Sequence, residues 1–164
     1  MVKSLVRYFS LSAVVVCVSE PGMAQEMPHH EITSECTQTI QRAAIFLDRL
    51  DAEKYSDLFV QEGVIVINDN ATEGRDAIAE RVRTADRSEL DIHFTGSIVV
   101  DVAESESISA TSYAIIYEGE RPDTPGRVPV LEYLVADYED QMRMTDAGCK
   151  FVRREVRIIF SSER

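Results

Sequence analysis

His93 is the residue whose type best suits moving a proton, and its neighbours have the spacing to surround it. In Asp91-Ile-His93-Phe-Thr95-Gly-Ser97 the alternation is that of a β-strand. Period two puts Asp91, His93, Thr95 and Ser97 on one face and Ile92, Phe94, Ile98 and Val100 on the other. An imidazole among hydroxyl groups can give or take a proton near neutral pH when a substrate lies against it. The same residue also fits a structural role, bonding a neighbouring strand or facing water. Asp51 comes next; at a break between helical stretches its first reading is an N-cap. Tyr55, Tyr113 and Tyr138 offer an apolar ring with a hydroxyl that can orient a carbonyl or phenol, or plain packing in a core or half-exposed strand. Asp140 is assigned to the side of its strand away from Tyr138. The chain has no Gly-rich phosphate loop, no Ser nucleophile elbow and no His, Cys and carboxylate set at metal-ligand spacing. Neither a metal nor a cofactor is therefore expected.

The elements that must position these groups come in a clear order. A first helix, capped at Thr33 or Ser34, carries Ile40, Ala43, Ala44, Leu47 and Leu50 as one apolar stripe. A short second helix over 52–59 turns Tyr55, Leu58 and Phe59 inward, and Gly63 ends it. Val64-Ile-Val-Ile67 is a strand and Asn68-Asp-Asn70 a turn. A third helix starts at Gly74-Arg75-Asp76. From Asp91 the period drops to two, giving strands over 91–102, 107–117, 131–143 and 149–160. The last two form a hairpin closed by Thr145-Asp-Ala-Gly148. Residues 118–129 hold three prolines and two glycines and read as a loop. Helices followed by long strands is the pattern of an α+β domain, with helices packed on one face of an antiparallel sheet. Long twisted strands must curve, and the concave side under the helices becomes a hollow.

Length and charge narrow the class of partner. The 164 residues make one domain with a real core, here 33–161, and a formal charge of −12 repels phosphate backbones and anionic lipid. No nucleic-acid partner is expected. Residues 1–24 read as an export signal: Lys3 and Arg7 lead an apolar run from Leu11 to Val18, and Gly22-Met23-Ala24 suits cleavage after Ala24. The apolar run is short for a membrane span, a retained anchor being the alternative. The expected location is periplasmic or secreted, with no membrane contact after cleavage, and 25–32 is a flexible leader. Cys36 and Cys149 then remain. In an oxidising compartment they can bridge, or they can pack as two small buried hydrophobes.

Four segments in this order resemble the SnoaL-like family of the nuclear transport factor 2-like superfamily. Leu50-Asp51-Ala-Glu-Lys-Tyr55 is similar to that family's Leu-Asp-x-x-Asp-Trp corner, and Gly74-Arg75-Asp76-Ala77-Ile78 to its Gly-Arg-x-Ala-Ile helix start. His93-Phe94-Thr95-Gly96-Ser97 is like its His-Phe-x-x-Asn strand, and Tyr138 through Arg154 like its closing hairpin. Together they cover most of residues 34–160. Cys149 departs from the usual Trp after the turn glycine, and Ser97 from the usual Asn. Scytalone dehydratase, a relative with a related pocket, uses two histidines. Here His29 and His30 fall in the leader, which leaves His93 alone.

The resemblance implies a cone-shaped fold: N-terminal helices on a strongly curved mixed or antiparallel sheet, enclosing a pocket. It matches Asp51 to the dehydratase aspartate that supports the proton-transferring histidine, with Asp48 as the alternative partner. Tyr55, Tyr113, Tyr138 and Ser97 become ligand-binding walls. The implied activity is a cofactor-free lyase or isomerase, of dehydratase, isomerase or cyclase type, on a small apolar or aromatic ligand. The alternatives are a non-catalytic periplasmic binding module and a homodimerisation domain.

Overall fold

The computed structural model describes residues 27–103, 107–124 and 126–162. The expected export signal lies outside the described residues. Three helices, α1 (His29–Asp48), α2 (Ala52–Ser56) and α3 (Arg75–Arg83), accompany six strands. These are β1 (Phe59–Ile67), β2 (Asn70–Glu73), β3 (Glu89–Val102), β4 (Ile108–Glu120), β5 (Glu132–Thr145) and β6 (Gly148–Ser161). The sheet order is β2-β1-β6-β5-β4-β3, with β1 and β6 parallel and the other pairs antiparallel. This is the α+β cone expected, with a mixed sheet that does not close on itself.

Helix α1 reaches back into the segment expected to be leader. Its N-cap is Pro28, whose carbonyl accepts from the N–H groups of Glu31 at 2.9 Å and Ile32 at 3.2 Å. Thr33 and Ser34 are inside the helix and cap nothing. Ile32, Cys36, Ile40 and Ala43 continue one buried stripe at helical spacing, which is the force that orders the extra turn. At the other end of this region Phe59 leaves the second helix and begins β1. It pairs in register with Phe151, whose N–H donates to the Leu58 carbonyl at 2.8 Å. Asn68 and Asp69 take left-handed conformations, φ 46° and 69°, so the expected turn becomes a tight hairpin that adds β2.

The sheet's curvature follows from what α1 touches. It packs on both β6 and β3, which β5 and β4 separate within the sheet. A helix laid across a flat sheet would meet the intervening β4 and β5 as closely as β3 and β6; α1 does not, so the strands bow away from it between its two contacts. Phe59, Phe151, Ile40 and Ile78 are fully buried in one core cluster shared by the helices and the sheet. Three successive inward positions of β4 and one of β5 are small: Ala110, Ser112, Ala114 and Ala136 are all buried. Small side chains on a concave face leave space that the helices do not refill.

Cys36 of α1 and Cys149 of β6 form a disulfide with Cα atoms 5.1 Å apart. Beside it the Thr39 hydroxyl donates to the Cys149 carbonyl at 2.9 Å. The bond settles the two readings the cysteines had in the sequence. No described helix is long and apolar enough to cross a membrane.

Candidate functional site

The site begins where α1 ends. Strand β3 is at the sheet edge, so main-chain N–H groups pointing away from β4 have no ladder partner. His93 finds one in Asp48, the last residue of α1: its N–H donates to both carboxylate oxygens, at 3.2 and 3.3 Å. Its ring nitrogen Nδ1 lies 2.6 Å from Asp48 Oδ1. A carboxylate accepts, so the proton of the neutral ring is on Nδ1 and Nε2 is left with its lone pair. The side chains are only 8% and 16% exposed, which shields the contact from water. One carboxylate therefore fixes the backbone, the ring orientation and the tautomer of His93.

His93 forms part of the wall of a cavity of about 130 Å³ between α1 and the concave sheet. Ala43 and Leu47 close it from the helix, and Ile65, Ile116 and Val156 from the strands. Its polar wall is His93, Thr95, Tyr55, Tyr138 and Arg154. Asp91 shares the inward face of β3 with His93. Its Oδ1 is buried without a hydrogen-bond partner among the described residues, and burial raises its carboxyl above the usual range.

Arg154 and Asp140 form a buried ion pair, with side chains 4% and 0% exposed and Nε 3.1 Å from Oδ1. The guanidinium lies over the rings of Tyr138, at 4.5 Å, and Phe151, at 4.4 Å. Burial pushes the Asp140 carboxyl up to about 6 against the pull of Arg154. Burial likewise raises the Tyr138 hydroxyl to about 12 and moves Tyr55 upward. Both phenols stay protonated, and the Tyr55 hydroxyl is hydrogen-bonded to Arg154.

Of the residues picked from the sequence, the structure brings His93, Tyr55 and Tyr138 together at the cavity. Asp51 goes elsewhere. Leu50 takes a left-handed conformation, φ 51°, that turns the chain after α1. Asp51 then caps α2, accepting from the Lys54 N–H at 3.2 Å, and meets Lys54 Nζ at 2.6 Å, contacts that hold its carboxyl below the usual range. Asp48, the alternative partner, takes its place beside His93. Tyr113 is not a wall. The inward residues of β4 are even-numbered, and Tyr113 is 52% exposed on the outer face. Ser97 is not one either: a bulge between Gly96 and Val99, with Ser97 at φ 50°, switches the inward face of β3 from odd to even positions. Ile98 and Val100 consequently pack inward and Ser97 is exposed.

Arg154 and Asp140 were missed, and a signal for one existed. Residues two apart on a strand share a face, so Asp140 had to point inward with Tyr138. Its pairing with Arg154 could not be counted from the turn. A register shift between Gln141 and Met142 leaves Arg153 and Arg154 opposite Gln141 and Asp140. An unshifted hairpin would oppose Arg153 to Asp140. Among the described residues no group of three or more His, Cys, Asp or Glu side chains converges to hold a metal.

Helices capping an open, curved sheet around a small cavity make the nuclear transport factor 2-like cone fold. Within it the chain belongs to the SnoaL-like domain family, whose family model matches residues 29–155. It is similar in structure to an NTF2-like protein with a cystatin-like fold from Novosphingobium aromaticivorans, at 25% identity over 80% of this chain and 84% of that one, TM-score 0.64. A provisionally assigned scytalone dehydratase from the same organism shares 21% identity over 83% and 89% of the two chains, TM-score 0.63. A type 2 hexachlorocyclohexane dehydrochlorinase (LinA) shares the fold at 8% identity over 82% and 89%, TM-score 0.69. No curated protein sequence matches the chain.

Proposed function

We propose that this is an exported protein whose cavity takes a small, largely apolar ring compound, and that His93, oriented by Asp48, transfers a proton on it. The reaction class is a cofactor-free elimination or isomerisation. The observation that carries this reading is the 2.6 Å contact of His93 Nδ1 with Asp48 at the cavity wall. Nε2 takes a proton from the ligand, and the Asp48 carboxylate stabilises the imidazolium that results. The proton then returns to another atom of the ligand, or leaves with a departing group. The names of two structural neighbours, a dehydratase and a dehydrochlorinase, both denote eliminations, and an elimination needs such a base.

Size supports a single-ring ligand. An apolar engineered cavity of about 150 Å³ holds benzene, and this one is about 130 Å³. The Cys36–Cys149 bond supports an oxidising, periplasmic or secreted location. A stripe of exposed apolar residues on the outer face, including Phe94, Ile115, Tyr117 and Tyr133, supports pairing with a second copy.

The test separates turnover from binding without knowing the substrate. Single-ring compounds that raise the melting temperature are incubated with the protein in heavy water, and deuterium entering the ligand is followed by NMR. The wild-type protein exchanges ligand protons; His93→Ala binds the same compounds and exchanges about 100-fold more slowly or worse, the usual worth of a placed acid–base group. Binding without exchange in the wild type would reduce the protein to a binding module. Equal exchange in His93→Ala would remove His93 from the chemistry.

A further inference from the structure

His93 has a second carboxylate beside it, on its own strand. Asp91 and His93 are two residues apart in β3, ahead of the bulge at Gly96, so both side chains leave one face, about 7 Å apart along the strand. Asp48 reaches the ring from α1, whereas Asp91 flanks it from within the sheet. The Asp91 side chain is half-buried, and its Oδ1 is fully covered and accepts from no donor among the described residues. Arg121, the cation that follows β4, is committed elsewhere: its Nε donates to the main-chain carbonyls of Arg87 and Glu89, at 3.1 Å each. Across the ladder Asp91 lies opposite Glu118 of β4, another acid. The charged groups around Asp91 are thus Asp48 from α1, Glu118 and Arg121 from β4 and its end, and His93 beside it. A carboxylate placed among acids with no donor on Oδ1 is a cost to the fold. Burial raises its carboxyl, His93 lowers it, Asp48 raises it again and Arg121 lowers it least. The imidazole is therefore the neighbour that most favours its charge.

We propose that Asp91 is a positioning residue for the proton transfer at His93: its negative charge, added to that of Asp48, stabilises the imidazolium formed when Nε2 accepts a proton. The inference rests on His93 being the acid–base group of the cavity, and goes further by naming a second carboxylate that sets its strength. Asp91 makes and breaks no bond to the ligand. The proton moves from a ligand atom to Nε2, then back to another ligand atom or out with a departing group, and Asp91 stays ionised throughout. Unit charges about 7 Å apart, at an effective dielectric of about 40 for a half-buried pair, shift each other's titration by about one pH unit.

The test is NMR titration of the ligand-free protein, with the His93 ring signals assigned by their loss in His93→Ala. Asp91→Asn keeps the shape and removes the charge, and the ring midpoint should fall by about one pH unit. Asp91→Glu keeps the charge and should restore most of that fall. The coupling is reciprocal. The Asp91 carboxyl carbon, followed in the wild type and in His93→Ala, should therefore titrate higher once the imidazole is gone, a measurement that needs no change at Asp91. In deuterium exchange into a bound single-ring compound, Asp91→Asn should be about three- to tenfold slower than wild type with ligand affinity unchanged. A ring midpoint unmoved in Asp91→Asn, or moved equally by Asn and Glu, would overturn the proposal. So would an Asp91 midpoint indifferent to His93→Ala, or wild-type exchange that Asp91→Asn leaves at full rate. Midpoint shifts of the expected size with no exchange in the wild type would instead bring down the proton-transfer reading, and Asp91's part in it, while the charge coupling stood.

Discussion

Reducing the Cys36–Cys149 bond should cost this protein a large share of its stability while leaving the native fold in place. The bond joins residues 113 apart in sequence. In the chain-entropy account, a loop of that length removes about 16 cal/mol/K from the unfolded state, or about 5 kcal/mol at room temperature. The native side loses little, because the seam between α1 and β6 is held independently. The Thr39 hydroxyl still reaches the Cys149 carbonyl at 2.9 Å, and Ile40 and Phe151 stay fully buried beside it. With a urea dependence of about 2 kcal/mol per molar, the unfolding midpoint should fall by about 2.5 M. The assay is urea unfolding of protein lacking residues 1–24, oxidised and reduced, together with Cys36→Ala/Cys149→Ala. Reduced protein and double variant should fall together. Two free thiols in the denatured, unreduced protein would refute the bond itself. A midpoint unmoved by reduction would refute the argument that the bond acts by restricting the unfolded chain.

Asp51→Ala should lower the melting temperature slightly through loss of the α2 cap, and leave ligand proton exchange untouched; a large loss of exchange would restore Asp51 to the site. Asp140 gives the protein a pH signature. Folding raises its carboxyl from 3.8 to about 6, so its contribution is present in full below pH 3.8 and is lost as pH climbs through 6. The two units amount to about 3 kcal/mol. Asp140→Asn should flatten stability against pH across that window, and an unchanged slope in chemical denaturation would show that the carboxyl is not raised. Sedimentation should find a dimer that Tyr117→Arg dissociates; a wild-type monomer at micromolar concentration would end the outer-face reading.

The sequence by itself determined the layers of this fold. Period-two alternation from Asp91 onward and the stripe Ile40, Ala43, Leu47 state which faces are apolar, and apolar faces must meet. Hence the helices, the long strands and the hollow between them were legible, as was His93 on the inward face. Facts that depend on where a strand loses register were not. One extra residue near Ser97 reverses the inward face of β3, and a shift near Met142 sets Arg154, not Arg153, against Asp140. A bulge leaves no mark in residue type, since its cost and benefit are settled by the strands on either side. The partner of His93 was hidden for a similar reason. Asp48 and Asp51 are both acids near the end of one helix, and only the turn at Leu50 and the crossing of α1 over β3 choose between them. Local pattern fixes which surface a side chain points from, whereas the three-dimensional packing of distant segments fixes what it points at.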